Sequence, residues 1–165
     1  MASVKAGDHA PEFALKSQEG EVVRLSDLLA RGPAVVYFYP KDNTPGCTAE
    51  AGAFRDGYAK FGELGAEVVG ISSDSVDSHK GFASDCRLPF KILSDGDGAV
   101  RKRYGVPSSM GLLPGRVTYV IDRGGVVRRV FSSQLHATRH VEEALKSLRS
   151  IAGSSQPRGL RGAKT

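Results

Sequence analysis

The sequence predicts an α/β protein with a mixed central β-sheet flanked by helices. Two observations carry that expectation. Strand-like and helix-like segments alternate from Ala34 onward, which implies crossovers and parallel pairing. Two later strand-like segments are joined through Arg123-Gly124-Gly125, a hairpin signal that implies antiparallel pairing. The chain has 165 residues, 40% apolar and 25% charged, which suits one soluble globular domain.

In chain order, Glu21 to Leu25 is a candidate first strand. Ala34-Val-Val-Tyr-Phe-Tyr39 is a continuous β-rich apolar run bounded by prolines, as in a strand buried on both faces. Thr44-Pro45, a hydroxyl cap followed by proline in the first helical position, predicts a helix start. Ala51, Phe54, Tyr58, Phe61 and Leu64 then keep the spacing of one buried face, and Gly65 ends the helix. Glu67 to Ser72 is a second buried strand. Ser75 to Cys86 is a helix with Val76, His79, Phe82, Ala83 and Cys86 along one side, stopped by Leu88-Pro89. Lys91 to Ser94 is a short strand, and Ala99 to Tyr104 a short helix with Arg101-Lys102-Arg103 as one exposed face. Pro107 to Gly115 is a loop, Arg116 to Asp122 and Val126 to Phe131 form the hairpin, and Thr138 to Ile151 is the last helix. This order is that of the thioredoxin-like fold. Residues 1–151 are expected to form the domain and residues 152–165 a basic, disordered tail.

Composition closes several routes. No run approaches the roughly 18–20 apolar residues of a membrane span. The net charge is +5, but Arg158, Arg161 and Lys164 sit in the tail, without the interleaved aromatics of a nucleic-acid surface. No nucleic-acid or membrane partner is expected. Met1 to Gly7 lacks the apolar core of a secretion signal, so a cytoplasmic location is expected, although a processed organellar form would look the same. Two cysteines, Cys47 and Cys86, are too few for a disulfide scaffold, and no Cys/His spacing suits structural zinc. His136 and His140, four apart, and the isolated His9 and His79 are weak metal signals. No metal or cofactor is expected.

Cys47 falls in the first turn of its predicted helix. Backbone N–H groups there lack internal partners, and the helix dipole favours an anion, hence the nucleophilic thiolate. The site also lies past the C-terminal end of a buried strand, where open α/β sheets place their chemistry. A packed spectator cysteine is the alternative, and a polar first turn off the Phe54/Tyr58 stripe weighs against it. Thr-Pro-Gly-Cys47 lacks the first cysteine of a Cys-x-x-Cys redox pair, and the histidines form no hydrolase motif. A thiolate with a nearby hydroxyl and several arginines suits attack on a small neutral electrophile.

Tyr39-Pro-Lys-Asp-Asn-Thr-Pro-Gly-Cys-Thr48 resembles the active-site segment of the peroxiredoxins, Pro-x-x-x-Thr-x-x-Cys, which lands on Pro40, Thr44 and Cys47. Gly7-Asp-His-Ala-Pro-Glu-Phe13 resembles the family's opening. Ser78-His-Lys80, Leu88-Pro-Phe90 and Leu113-Pro-Gly-Arg116-Val-Thr-Tyr-Val-Ile-Asp122 are similar to the peroxiredoxin Q, or bacterioferritin comigratory, subfamily. The resemblance implies a thiol-dependent peroxidase that reduces hydrogen peroxide and organic hydroperoxides and is recycled by thioredoxin or a similar dithiol. Cys47 would be the peroxidatic cysteine, oxidised to sulfenic acid. Thr44 would hydrogen-bond peroxide and thiolate. Arg116 would stabilise the thiolate and the breaking O–O bond, with Arg55 and Arg123 as arginines that do not fit the motif. Pro40 would shield the pocket, and Glu50 would either hold the arginine or simply complement the helix dipole. Many subfamily members resolve through a cysteine five residues on, where this chain has Gly52. Cys86 is then the resolving candidate, with a buried spectator as the alternative. A monomer is expected. A one-cysteine peroxidase using an external thiol, and a redox-sensing or chaperone-like binding protein, are the competing readings.

Overall fold

The structure, a computed structural model, describes residues 3–106, 116–133 and 136–163, with side chains described as far as residue 152. Its elements are β1 (Ala14–Ser17), β2 (Val22–Arg24), α1 (Leu25–Leu29), β3 (Ala34–Phe38), α2 (Pro45–Glu63), β4 (Glu67–Ser72), α3 (Val76–Cys86), β5 (Lys91–Ser94), α4 (Ala99–Tyr104), β6 (Val117–Ile121), β7 (Val127–Ser132) and α5 (Ala137–Ala163). They form a seven-stranded mixed sheet in the order β2-β1-β5-β4-β3-β6-β7. Strands β3, β4 and β5 run parallel, joined by helical crossovers, and β6 and β7 pair antiparallel.

The interior strand β3 shows why a continuous apolar run was needed. Successive side chains leave a strand on opposite faces, so both faces of a covered strand must be apolar. Val35, Tyr37 and the following Tyr39 pack into one core with Phe54 and Phe61 of α2 and Val141, Leu145 and Leu148 of α5. Ala34, Val36 and Phe38 pack into the other with Phe13, Val100, Tyr104 and Tyr119. Tyr37 lies across its register partner Gly70, where a Cβ would stand 2.8 Å from the tyrosine Cζ. Only glycine fits beneath that ring.

Four features differ from the sequence expectation. The edge hairpin includes β1, which is too short and too mixed in polarity to carry a period-two signal. The predicted strand at Glu21 to Leu25 shortens to Val22–Arg24, because Leu25 turns inward as the start of α1. Arg101, Lys102 and Arg103 do not share an exposed face, since consecutive helical residues point about 100° apart. Arg101 is buried and its Nη2 donates to the Tyr39 carbonyl at 3.1 Å. Finally, α5 continues to Ala163. The sequence ends it near Ile151, where the apolar stripe stops, and expects a disordered tail beyond. The predicted loop Pro107 to Gly115 lies outside the described residues.

Candidate active site

The sheet and α2 bring Cys47, Glu50 and Arg116 together. Thr44 is the N-cap of α2, with extended backbone, and Pro45 occupies the first turn. The expected side-chain cap is not made: Thr44 Oγ1 donates to the Lys41 carbonyl at 3.0 Å. The bond ties the hydroxyl to the preceding turn, whose Asn43 sits at φ 65°, rather than to the helix. The first intrahelical bond runs from Thr48 N–H to the Thr44 carbonyl, which leaves the Gly46 and Cys47 N–H groups in the unpaired first turn.

Cys47 is buried beneath Arg116, the residue immediately before β6. Arg116 Nη1 donates to Cys47 Sγ at 3.3 Å and to Glu50 Oε1 at 2.8 Å. Glu50 is fully buried one turn after Cys47, and Arg116 is almost as deep. Burial pushes the Glu50 carboxyl up to about 7, with the Arg116 charge opposing part of the rise. Burial acts to lower the Arg116 value, but the Glu50 charge and hydrogen bond outweigh it and raise it. Glu50 Oε2 and Arg116 Nε are buried without hydrogen-bond partners among the described residues. Glu50 Oε2 lies 3.5 Å from Nδ1 of the buried His140.

The other arginines stand elsewhere. Arg55 pairs with Asp56 and donates to the Cys86 carbonyl at 2.8 Å, and Arg123 reaches the Ala30 carbonyl at 3.5 Å. Pro40 is half-buried and lines a cavity of about 300 Å³ with Ser73, Arg101 and Val106. Cys86, half-buried at the end of α3, is a free thiol like Cys47. Burial raises its thiol above the usual value, with Arg55 opposing. Both cysteines pack against the core that contains Tyr37, and the charge of each bears on that tyrosine.

Two groups of neighbours escaped the sequence reading. Gly46 lets Arg116 approach closely, since a Cβ there would stand 2.8 Å from Arg116 Nη2 and push the guanidinium aside. A glycine inside the first helical turn, where alanine is more stable by about 1 kcal/mol, was the available signal. The second group is a buried cluster on the loop before α2. Asp42 Oδ1 accepts from the Tyr39 hydroxyl at 2.6 Å, and Oδ2 from Ser78 Oγ at 2.8 Å. His79 Nδ1 lies 2.7 Å from Oδ2, and its Nε2 lies 2.9 Å from the Leu93 carbonyl. Burial acts to raise the Asp42 carboxyl, yet the bonds from His79, Tyr39 and Ser78 hold it below the usual range. Asp42, Asp74 and His79 stand close enough to hold a metal ion, and Asp74 Oδ2, Asp42 Oδ2 and His79 Nδ1 are engaged in hydrogen bonds.

Comparison with known proteins follows the same lines. Residues 6–130 match the AhpC/TSA family. The chain is 54% identical over 152 residues to peroxiredoxin Q, chloroplastic, of Sedum lineare, covering 92% of this chain and 81% of that protein. The crystal structure of peroxidoxin BcpB from Mycobacterium tuberculosis superposes with a TM-score of 0.85 at 41% identity, covering 90% of this chain and 98% of that one. A structure of Xanthomonas campestris bacterioferritin comigratory protein, described for its alkyl peroxide reduction activity, matches with a TM-score of 0.77 at 30% identity over 85% of this chain and 92% of that one.

Proposed function

The chain belongs to the AhpC/TSA family and is a thiol-dependent peroxidase of the peroxiredoxin Q type with a thioredoxin-like fold, and from that premise we propose that Cys47 is its peroxidatic cysteine. The observation that carries the assignment is the Arg116 guanidinium 3.3 Å from Cys47 Sγ in the unpaired first turn of α2. In the first step the Cys47 thiolate attacks one oxygen of ROOH. An S–O bond forms as the O–O bond breaks, and the departing RO⁻ takes a proton to give ROH and a sulfenic acid. Arg116 donates to the sulfur beforehand and to the oxygens as charge shifts onto them. Thr44 turns its hydroxyl from the Lys41 carbonyl to the peroxide, Pro40 keeps water from the pocket, and Glu50 anchors Arg116.

Cys86 resolves in this reading. Its thiolate attacks the sulfenic sulfur, forms the disulfide and releases hydroxide, which is protonated to water. Thioredoxin or a similar dithiol then reduces the disulfide by exchange and is itself oxidised. A disulfide requires the two Cα atoms within roughly 7 Å, and in this reading local opening at the start of α2 and the end of α3 brings them there. The protein works as a monomer in the cytoplasm or inside an organelle, where thiols stay reduced; several of its relatives are named chloroplastic. Among the described residues no helix is long and apolar enough to cross a membrane.

Cys47→Ser tests the assignment, with peroxide consumption measured in the presence of thioredoxin, its reductase and NADPH. The variant is expected to fold and to lose turnover, since a hydroxyl does not ionise there. Retained turnover overturns the choice of nucleophile.

A further inference from the structure

His140 is fully buried against the proposed site, and none of the steps above uses it. Its Nε2 lies 2.9 Å from the Ser133 carbonyl, which can only accept, so Nε2 carries a proton. Its Nδ1 lies 2.7 Å from Thr118 Oγ1 and 3.5 Å from Glu50 Oε2. Burial holds the imidazole below its usual value, toward the neutral ring with a bare Nδ1. A carboxylate oxygen and a bare nitrogen then face each other as two lone pairs. That oxygen is the same Glu50 Oε2 that has no hydrogen-bond partner, while Oε1 is held by Arg116.

The charges lead to the same place. A Cys47 thiolate and an ionised Glu50 would set two buried anions against one guanidinium, which both approach through Nη1. One proton between Oε2 and Nδ1 removes both conflicts. Burial already pushes Glu50 up to about 7. The Thr118 hydroxyl can either donate or accept, so it accommodates the proton on either atom.

Resting on the reading of Cys47 as nucleophile, we propose that Glu50 Oε2 and His140 Nδ1 share one proton in the reduced enzyme, and that His140 is a positioning residue. By keeping that proton, it leaves the positive charge of Arg116 to Cys47 and the peroxide. Other groups around the pair do not compete for the proton. Tyr37 from β3 is raised well above its ordinary value, chiefly by burial, and stays neutral. Arg129 and Arg139 stack over the Phe131 ring that edges His140, and both pair with Glu143. Loss of the shared proton at alkaline pH makes Glu50 a full anion, draws Arg116 away from the sulfur and slows the reaction.

The experiment is the second-order rate of the reduced protein with hydrogen peroxide against pH, together with thiolate absorbance, for wild type, His140→Asn, Glu50→Gln and the double variant. Wild type is expected to lose rate on an alkaline limb. Asparagine keeps an acceptor near the Nδ1 position but not its basicity, so His140→Asn should move that limb down by about one pH unit. Glu50→Gln should abolish the limb, and adding His140→Asn should then move nothing. A purely structural His140 would lower the rate equally at all pH. Such a result, or a limb that persists in Glu50→Gln, overturns the proposal. Should His140→Asn fail to fold, His140→Gln takes its place, with the same downward shift of the limb expected and an unmoved limb overturning the proposal. Reaction at Cys47 with an unmoved limb defeats this inference only, whereas peroxide reaction without Cys47 thiolate defeats the reading beneath it.

Discussion

Asp42 and Glu50 are both buried carboxylates within a few residues of Cys47, each beside a buried histidine, yet they are held in opposite ways. Asp42 meets Tyr39, Ser78 and His79, and those bonds outweigh burial and hold it ionised. Glu50 meets one donor, Arg116 Nη1, which it shares with Cys47, and burial wins. Burial alone therefore does not decide a buried acid's state; the donors converging on it weigh against the depth of burial. Asp42 becomes a fixed clamp between the loop before α2 and helix α3. Glu50 stays free to titrate where the chemistry is proposed.

The largest expected effect comes from the shared guanidinium. Lysine keeps the charge but not the planar fork, so Arg116→Lys should retain the thiolate absorbance of Cys47 yet react about 10²–10³ slower with peroxide. An unchanged rate, with Arg55→Lys or Arg123→Lys crippled instead, would give the role to another arginine. On the clamp side, Asp42→Asn removes the anion from a dry cluster and should cost on the order of 3 kcal/mol in urea unfolding. A loss under about 1 kcal/mol would mean that the cluster is not a clamp.

The two acids should also bend stability against pH in opposite directions. The native Glu50 value lies above its usual 4.5, at about 7, so its contribution is full below 4.5 and is lost as pH rises toward 7. That loss is on the order of 3 kcal/mol, and Glu50→Gln should flatten it. The native Asp42 value lies below its usual 3.8, so its contribution is present above 3.8 and lost as acid reaches the native value. Unfolding curves collected from pH 3 to 8 for Glu50→Gln and Asp42→Asn would separate the two slopes; a shared sign would break the comparison. The smallest effect belongs to Gly46→Ala. The new methyl would press on Arg116 Nη2, and a guanidinium displaced by less than an ångström should slow peroxide reduction about 10–100-fold while leaving the unfolding midpoint nearly unchanged.

The same contrast explains what could be read from the sequence. The buried run at β3, the α2 stripe through Phe54 and Phe61, and the β6–β7 hairpin announce themselves by local periodicity and turn residues, and the structure has all three. Cys47 declared itself by its place after Thr44-Pro45, a local signal too. His140, Asp42 and His79 did not. Their defining side-chain pairs are distant in sequence, His140 with Thr118 across 22 residues and Asp42 with His79 across 37, and no spacing rule links them. Arg101 was misplaced because three adjacent basic residues look like one surface until the helix phase turns the first inward. The buried polar groups around the site are non-local, and only the folded chain brings them together.

The most direct test of the account is intact mass and tryptic mapping of the fully reduced protein after one equivalent of hydrogen peroxide. The predicted result is a loss of two hydrogens and a single peptide pair joining Cys47 to Cys86, with Cys86→Ser stopping instead at an oxidised Cys47. Peroxide consumed while Cys47 remains an unmodified thiol would contradict it.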